Sequence, residues 1–216
     1  MHPFLPSFDP LIARKFSIGS LDLKLQNKTA LQRELGWPAE PRRPVLCLPQ
    51  GMTDKLGGEL LVQTLPGLLT LPLELLILGK GSERFGALFT KLAADQNHRV
   101  HIVTEEEKDV HLMLAAADMA LFLTDPADVD VVGRCLHYGV VPIALEGSEH
   151  GRGTTLLEDY DPVQETGNAF LFAARSPWSV FASFVRAAET YKFPFDWRTI
   201  QRHCMETATR KEKRSS

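Results

Sequence analysis

Cysteine is scarce in this chain. Three stand among 216 residues: Cys47, Cys135 and Cys204. The count is odd and the spacing wide, which argues against a disulfide framework and excludes any Cys-x-x-Cys metal site. Cys47 and Cys135 lie in apolar contexts and read as reduced structural thiols. Long apolar runs are also missing, and none nears the roughly 18 residues of a transmembrane helix. Basic charge is not in excess. The formal net charge is −3, which gives no reason to expect nucleic acid or an anionic membrane as partner. The opening MHPFLPSFDP lacks the basic-then-apolar pattern of a secretory signal, so a cytoplasmic location is expected. There is no Gly-x-Ser-x-Gly, no Walker loop and no Ser/His/Asp order, which argues against hydrolase and nucleotidase chemistry. No internal repeat is visible.

What is present is an apolar content of 44%, enough for a sizeable core, in a length that suits one α/β layer structure. Residues 1–26 contain prolines and read as an irregular, extended lead-in on the surface. Residues 27–209 form the body, including two C-terminal helices, and the charged tail 210–216 reads as disordered. The body opens with a helix over 27–37, with Asn27 as cap and Gly36 as stop. Strands are expected at 45–48, 73–78, 99–103, 119–123, 140–144 and 169–172. Helices are expected at 59–69, where Pro66 kinks or ends the segment, and at 84–95, 108–116, 129–137, 177–191 and 196–209. This alternation implies right-handed βαβ units, and hence an α/β, Rossmann-like parallel sheet with helices on both faces. Cover on both faces accounts for strands that are continuously apolar.

Ligands of such a sheet sit beyond the carboxyl ends of its strands. That edge is built from residues 50–54, 79–81, 104–106, 124–128 and 146–153. Residues 51–59 read GMTDKLGGE. A strand, a glycine-containing turn and a helix start make a phosphate-receiving turn, and Lys55 is its only cation. Gly79 and Gly81 permit close approach of a ligand, or simply turn the chain into the next helix. Lys80 between them meets phosphate or water. Arg152, in the loop GSEHGRG, offers one more phosphate contact. Asp125, Asp128 and Asp130 cluster at a strand end. Paired carboxylates bind metals or act as acid and base. The plainer account is that Asp128 caps the next helix while the others are solvated. His98 and His101 are three apart, but the second enters a strand, which does not suit a shared metal. His111, on a helix with an apolar face, reads as a packed, hydrogen-bonded core histidine. No catalytic residue, metal ligand or cofactor is assigned.

Five phrases in sequence carry a resemblance. NKTALQRELG resembles Asn-Lys-x-Ala-Leu-Gln-x-Glu-Leu-Gly, and LELLILGKGSERF resembles a strand with its Gly-x-Gly turn. HLMLAAADMALFLT resembles His-x-x-x-Ala-Gly-Ala-Asp-Met, and HYGVVPI resembles Arg-Tyr-Gly-x-x-Pro-Ile. LLEDYDP followed by ETGNAFLF resembles Val-x-Asp-x-Asp-Pro and Gly-x-Gly-Phe-x-Phe. These are phrases of bacterial glycogen synthases and plant starch synthases, retaining glycosyltransferases with two Rossmann-like domains, the GT-B fold. The resemblance covers about residues 4–205 and is to the C-terminal, nucleotide-sugar-binding half.

The resemblance implies ADP-glucose as donor, α-1,4-glucan as acceptor, no metal, and a complementary N-terminal GT-B domain, without which the chain is expected to be inactive. The candidate nucleotide-sugar contacts are Gly79, Lys80, Gly81, Lys55 and Arg152. By the same likeness, His111 matches a histidine near the adenine end of the pocket. Departures fall on the chemistry. The family's Arg-Leu-Thr-x-Gln-Lys-Gly is here Gly51-Met52-Thr53-Asp54-Lys55-Leu56-Gly57. Both cations are missing in that register, and Lys55 substitutes only if the turn shifts by one residue. The family's Glu-Pro-Cys-Gly-Leu aligns with 126–130, which places Pro126 at the glutamate and Val129 at the glycine. Glu105 stands where a stacking tyrosine is expected. Losing two charge-assisted bonds of about 1.5–3 kcal/mol each costs roughly 3–6 kcal/mol of diphosphate affinity. Three functions follow: a donor-binding domain, a catalytically degenerate binding or regulatory module of the same fold, or a relative that uses another nucleotide sugar.

Overall fold

The structure, a computed structural model, describes residues 4–125, 129–147 and 156–215. Helix α1 (Lys24–Glu34) leads into β1 (Val45–Leu48), α2 (Gly58–Leu68), β2 (Glu74–Leu78), α3 (Glu83–Asp95) and β3 (Val100–Val103). The chain continues through α4 (Glu107–Ala116), β4 (Met119–Phe122), α5 (Val129–His137), β5 (Val141–Leu145), β6 (Phe170–Phe172), α6 (Pro177–Tyr191) and α7 (Pro194–Ser215). The strands form one six-stranded sheet in the order β3-β2-β1-β4-β5-β6. Every pairing is parallel. The chain runs outward from β1 to β3, then returns to lay β4 on the free side of β1. The switch point therefore lies between β1 and β4.

β1, β2 and β4 are buried along their whole length, as strands covered on both faces must be. Cys47 pairs in register with Leu76 on one side and Ala120 on the other. Burial raises its thiol pKa well above the ordinary value and that of Cys135 to about 12, so both thiols stay protonated and unreactive. α2 packs on α6, α1 on α4, and α5 on α7. Pro66 lies inside α2, which ends two residues later at Leu68.

Both chain ends differ from the sequence expectation. The lead-in is not a surface strap, since Phe4, Ile12, Phe16 and Leu21 are buried in the core. Their irregular spacing gives no periodic signal. A 3-10 turn at Ile18–Leu23 feeds α1, which starts at Lys24. Asn27 therefore lies inside the helix and does not cap it. Its amide grips the lead-in backbone instead: Nδ2 donates to Arg14 O at 2.8 Å, and Oδ1 accepts from Arg14 N at 2.7 Å. At the other end α7 runs on to Ser215, through most of the segment expected to be loose.

α1 buries a polar stripe, Lys24, Asn27, Lys28 and Gln32. Lys28 Nζ sits 2.5 Å from Asp118 Oδ2. That carboxylate oxygen also accepts from Val45 N at 2.8 Å, so it ties α1 to the starts of β1 and β4. Gln32 Nε2 donates to both oxygens of Glu74, at 3.0 and 2.8 Å. Burial raises the pKa of that carboxyl.

Candidate nucleotide-sugar site

A cavity of about 890 Å³ lies beyond the carboxyl ends of the strands. Pro49 and Gln50, after β1, and Thr124 and Asp125, after β4, line it. It thus sits at the switch point, where open α/β sheets take ligands. Its size is within the range of roughly 300–1,000 Å³ usual for small-molecule sites.

Two of its loops are joined through their backbones. Met52 N donates to Lys80 O at 2.9 Å, and Ser82 N donates to Met52 O at 3.1 Å. Gly51 has φ 67° and Gly81 φ 139°. A Cβ on Gly51 would stand 1.9 Å from Lys80 O, and one on Gly81 1.9 Å from Met52 O. Neither position admits a side chain in this backbone. The missing arginine at 51 is therefore required by the way the two turns meet. Gly79 and Gly81 shape the turn that presents Lys80 to the cavity.

Lys55 and Leu56, both in the short 3-10 turn Asp54–Leu56, line the cavity together. Lys55 reaches it without the one-residue shift that sequence alignment demands. Asp54, in this turn, and Glu59, at the start of α2, are held by Arg84 at 3.5 and 2.5 Å. Lys80 Nζ is 3.7 Å from Glu105, with both side chains more than half exposed, so that pair contributes little. Two further cations line the cavity, Arg134 and Arg175. The sequence reading missed both. Arg175 follows β6, so the rule that located the other loops would have found it had the sixth strand been included. Arg134 lies on α5 three residues after Val131, and both line the cavity, a spacing that shares one helix face. The Arg134 guanidinium lies 4.2 Å from the Phe4 ring centre. Lys55 and Arg175 have no ion-pair partner among the described residues. The carboxylates facing these four cations are Glu105 and Asp125, and Asp125 Oδ1 is buried without a hydrogen-bond partner among the described residues.

His111 is 2% exposed and packed, as expected. Its Nδ1 is 2.7 Å from Asp9 Oδ2, and its ring stacks on Phe4 at 4.3 Å. Tyr138 donates its hydroxyl to the same Asp9 oxygen. Burial, then that carboxylate, raises the tyrosine pKa, so it remains a donor. His101, half-buried in β3, has its pKa lowered by burial. Among the described residues no group of three His, Cys, Asp or Glu is placed to hold a metal. Arg152, Pro126 and Asp128 lie outside the described residues, as does most of GSEHGRG. No helix among the described residues is long and apolar enough to cross a membrane.

A six-stranded parallel sheet with its cavity at the switch point is the architecture of one Rossmann-like half of a GT-B glycosyltransferase. Comparison with known proteins supports the same class. No protein-family model matches the chain. The glycogen synthase of Thermosipho melanesiensis is 29% identical over 210 residues, covering 94% of this chain and 42% of the relative. That of Geobacillus stearothermophilus is 27% identical over 203 residues, covering 93% and 41%. The catalytic domain of starch synthase IV from Arabidopsis thaliana, bound to ADP and acarbose, superposes with a TM-score of 0.81 at 22% identity, over 97% of this chain and 45% of that one. A C-terminal domain of a group 1 glycosyl transferase from Francisella tularensis matches with a TM-score of 0.64 at 9% identity, over 87% of this chain and 93% of that one. The resemblance to glycogen and starch synthases is borne out along nearly the whole chain. The chain spans less than half the length of the curated relatives it matches.

Proposed function

We propose that the chain is the donor-binding domain of a glycogen- or starch-synthase-like glycosyltransferase, which holds ADP-glucose in the switch-point cavity. Four cations around that cavity, two of them uncommitted, carry the reading. In it the diphosphate lies against Lys55 and Arg175, with Lys80 and Arg134 beside it, so the positions empty of charge at 51 and 56 are compensated from other loops. Gly79 and Gly81 hold the Lys80 loop, and Arg152 is a further contact. ADP is the nucleotide carried by the starch synthase of like fold. Glucosyl transfer to an α-1,4-glucan then needs a complementary Rossmann-like domain, because a GT-B site lies between two domains. A cytoplasmic location belongs to the same reading.

Calorimetry with ADP-glucose tests this. Lys55→Ala and Arg175→Ala are each expected to weaken binding by about tenfold to a hundredfold, as the loss of a charge-assisted hydrogen bond of about 1.5–3 kcal/mol requires. Their unfolding midpoints should not move. One observation favours the alternative, a catalytically degenerate binding module: the Gly51 backbone leaves no room for the family's arginine. Absence of measurable ADP or ADP-glucose binding would decide for that module. Tighter binding of UDP-glucose would point to a relative with another donor.

A further inference from the structure

A second cavity, of about 760 Å³, opens at the opposite end of the sheet. Its wall forms where α1, the segment before β1, the start of β4 and the α6–α7 turn meet, and it shares no residue with the switch-point cavity. Five cations line it, Lys24, Lys28, Arg42, Lys192 and Arg198, against the carboxylates Asp22 and Asp118.

Partners account for part of this charge. Lys28 sits 2.5 Å from Asp118 and donates to the Tyr191 hydroxyl at 2.6 Å. Arg198 pairs with Asp22. Lys192 meets Glu189 at 2.6 Å, but both are more than half exposed, so the pair leaves the ammonium available. Arg42 is exposed and has no ion-pair partner among the described residues.

Lys24 is the unusual group. It is 5% exposed and has no carboxylate within ion-pair distance among the described residues. Its Nζ donates only to the carbonyls of Leu114 and Ala115, at 3.0 and 3.1 Å. A buried ammonium short of a counter-charge is costly unless an anion meets it. In the same wall Trp197 keeps its indole N–H buried without an acceptor among the described residues. The rings of Tyr191 and Trp197 meet edge to face at 5.1 Å and give the cavity an apolar side.

We infer that this cavity binds a small phosphorylated molecule. Its phosphate lies among Lys24, Arg42 and Lys192, and its body lies against Tyr191 and Trp197. A phosphate monoester brings two charges and three acceptor oxygens to several donors at once, and the volume exceeds what the bare ion needs. The site is independent of the donor reading. Burial lowers the Lys24 pKa to about 8. Its neighbours are Lys28 on its own helix, Asp118 before β4, Cys47 on β1 and Cys135 on α5. The phosphate gains its second charge near pH 6. Affinity is therefore greatest between about pH 6 and 8 and falls above that window.

The test is calorimetric titration of the chain with ribose 5-phosphate, with ribose as the neutral control. Saturable binding of the ester and none of ribose are expected. The Arg42→Glu/Lys192→Glu variant should bind at least about tenfold more weakly, and affinity should fall on raising the pH from about 7 to about 9. Lys55→Ala/Arg175→Ala should bind as the wild type does. Both rim residues are exposed, and circular dichroism checks their variant's fold; Arg42→Ala alone carries the same expectation with a smaller loss. No saturation, equal binding of ribose, or a loss confined to the Lys55/Arg175 variant overturns the inference.

Discussion

The two ends of the sheet carry similar charged groups in opposite conditions. At the carboxyl ends Lys55 and Arg175 have no ion-pair partner among the described residues, and Lys80 meets Glu105 only at 3.7 Å in solvent. At the amino ends the side chains of Lys28 and Asp118 are 2% and 8% exposed and 2.5 Å apart. A solvated cation contributes little to the fold and is free to meet a ligand. A buried pair is part of the framework, because neither member tolerates loss of the other. Burial and pairing, more than how many charges there are, separate residues that hold the protein together, Lys28 and Asp118, from residues free to meet a ligand, Lys55 and Arg175.

The contrast is most easily broken at Asp118. Asp118→Ala leaves the Lys28 ammonium buried without its carboxylate and removes the acceptor of Val45 N–H. Urea unfolding should show a loss of about 3–5 kcal/mol. Removing both charges, as in Lys28→Met/Asp118→Leu, should recover much of it. Lys55→Ala, at the other end, should stay within about 0.5 kcal/mol of the wild type. Equal stability of Asp118→Ala and Lys55→Ala would end the distinction.

A smaller effect sharpens it. Gly51→Ala forces a Cβ into Lys80 O and should cost about 1–3 kcal/mol, with nucleotide binding lost as the Lys80 loop is pushed away. Gly86, exposed inside α3, has nothing within 4 Å of its would-be Cβ. Gly86→Ala should instead stabilise by about 0.5–1 kcal/mol. Thermal melts of the two variants should move in opposite directions. The same direction in both would mean that the turn does not constrain residue 51.

These residues also show what a sequence can and cannot display. β1 and α5 fall at the residues expected of them, Val45–Leu48 and Val129–His137, because apolar runs and helical spacing are local signals. The parallel order followed from their alternation. Lys24 and Lys28 were not legible as buried. Their partners lie far away in the chain, the carbonyl of Leu114 being 90 residues from Lys24, and no local pattern announces a helix that buries its polar stripe. In the sequence alone Gly51 reads as an arginine lost. Its positive φ and its contact with the Lys80 loop show a requirement that composition hides. Arg134 and Arg175 reach the cavity from elements that motif alignment leaves out. The scaffold was thus read through short-range physics, whereas the cations of the site depended on long-range closure.

The most gradual predicted effect is a pH slope from the amino ends. Lys24 has a pKa of about 8 in the folded chain, against an ordinary 10.5. Between those values the unfolded chain binds more protons than the folded one, so this residue makes stability rise with pH across that window. Cys135 acts oppositely. Its folded pKa, about 12 against 9.0, makes the unfolded chain release protons first above pH 9 and lowers stability there. Cys47 and Cys204 are raised in the same sense. A bare stability profile mixes these trends, but the thiols are common to wild type and Lys24→Met, so below pH 9, where they stay protonated in both states, the difference reports the lysine. Denaturant unfolding should show the wild type gaining on Lys24→Met by up to about 1 kcal/mol per pH unit from about pH 8 to about pH 9. A flat difference would mean that water reaches the ammonium, and the contrast between buried and solvated cations would then fail at Lys24, which is only 5% exposed.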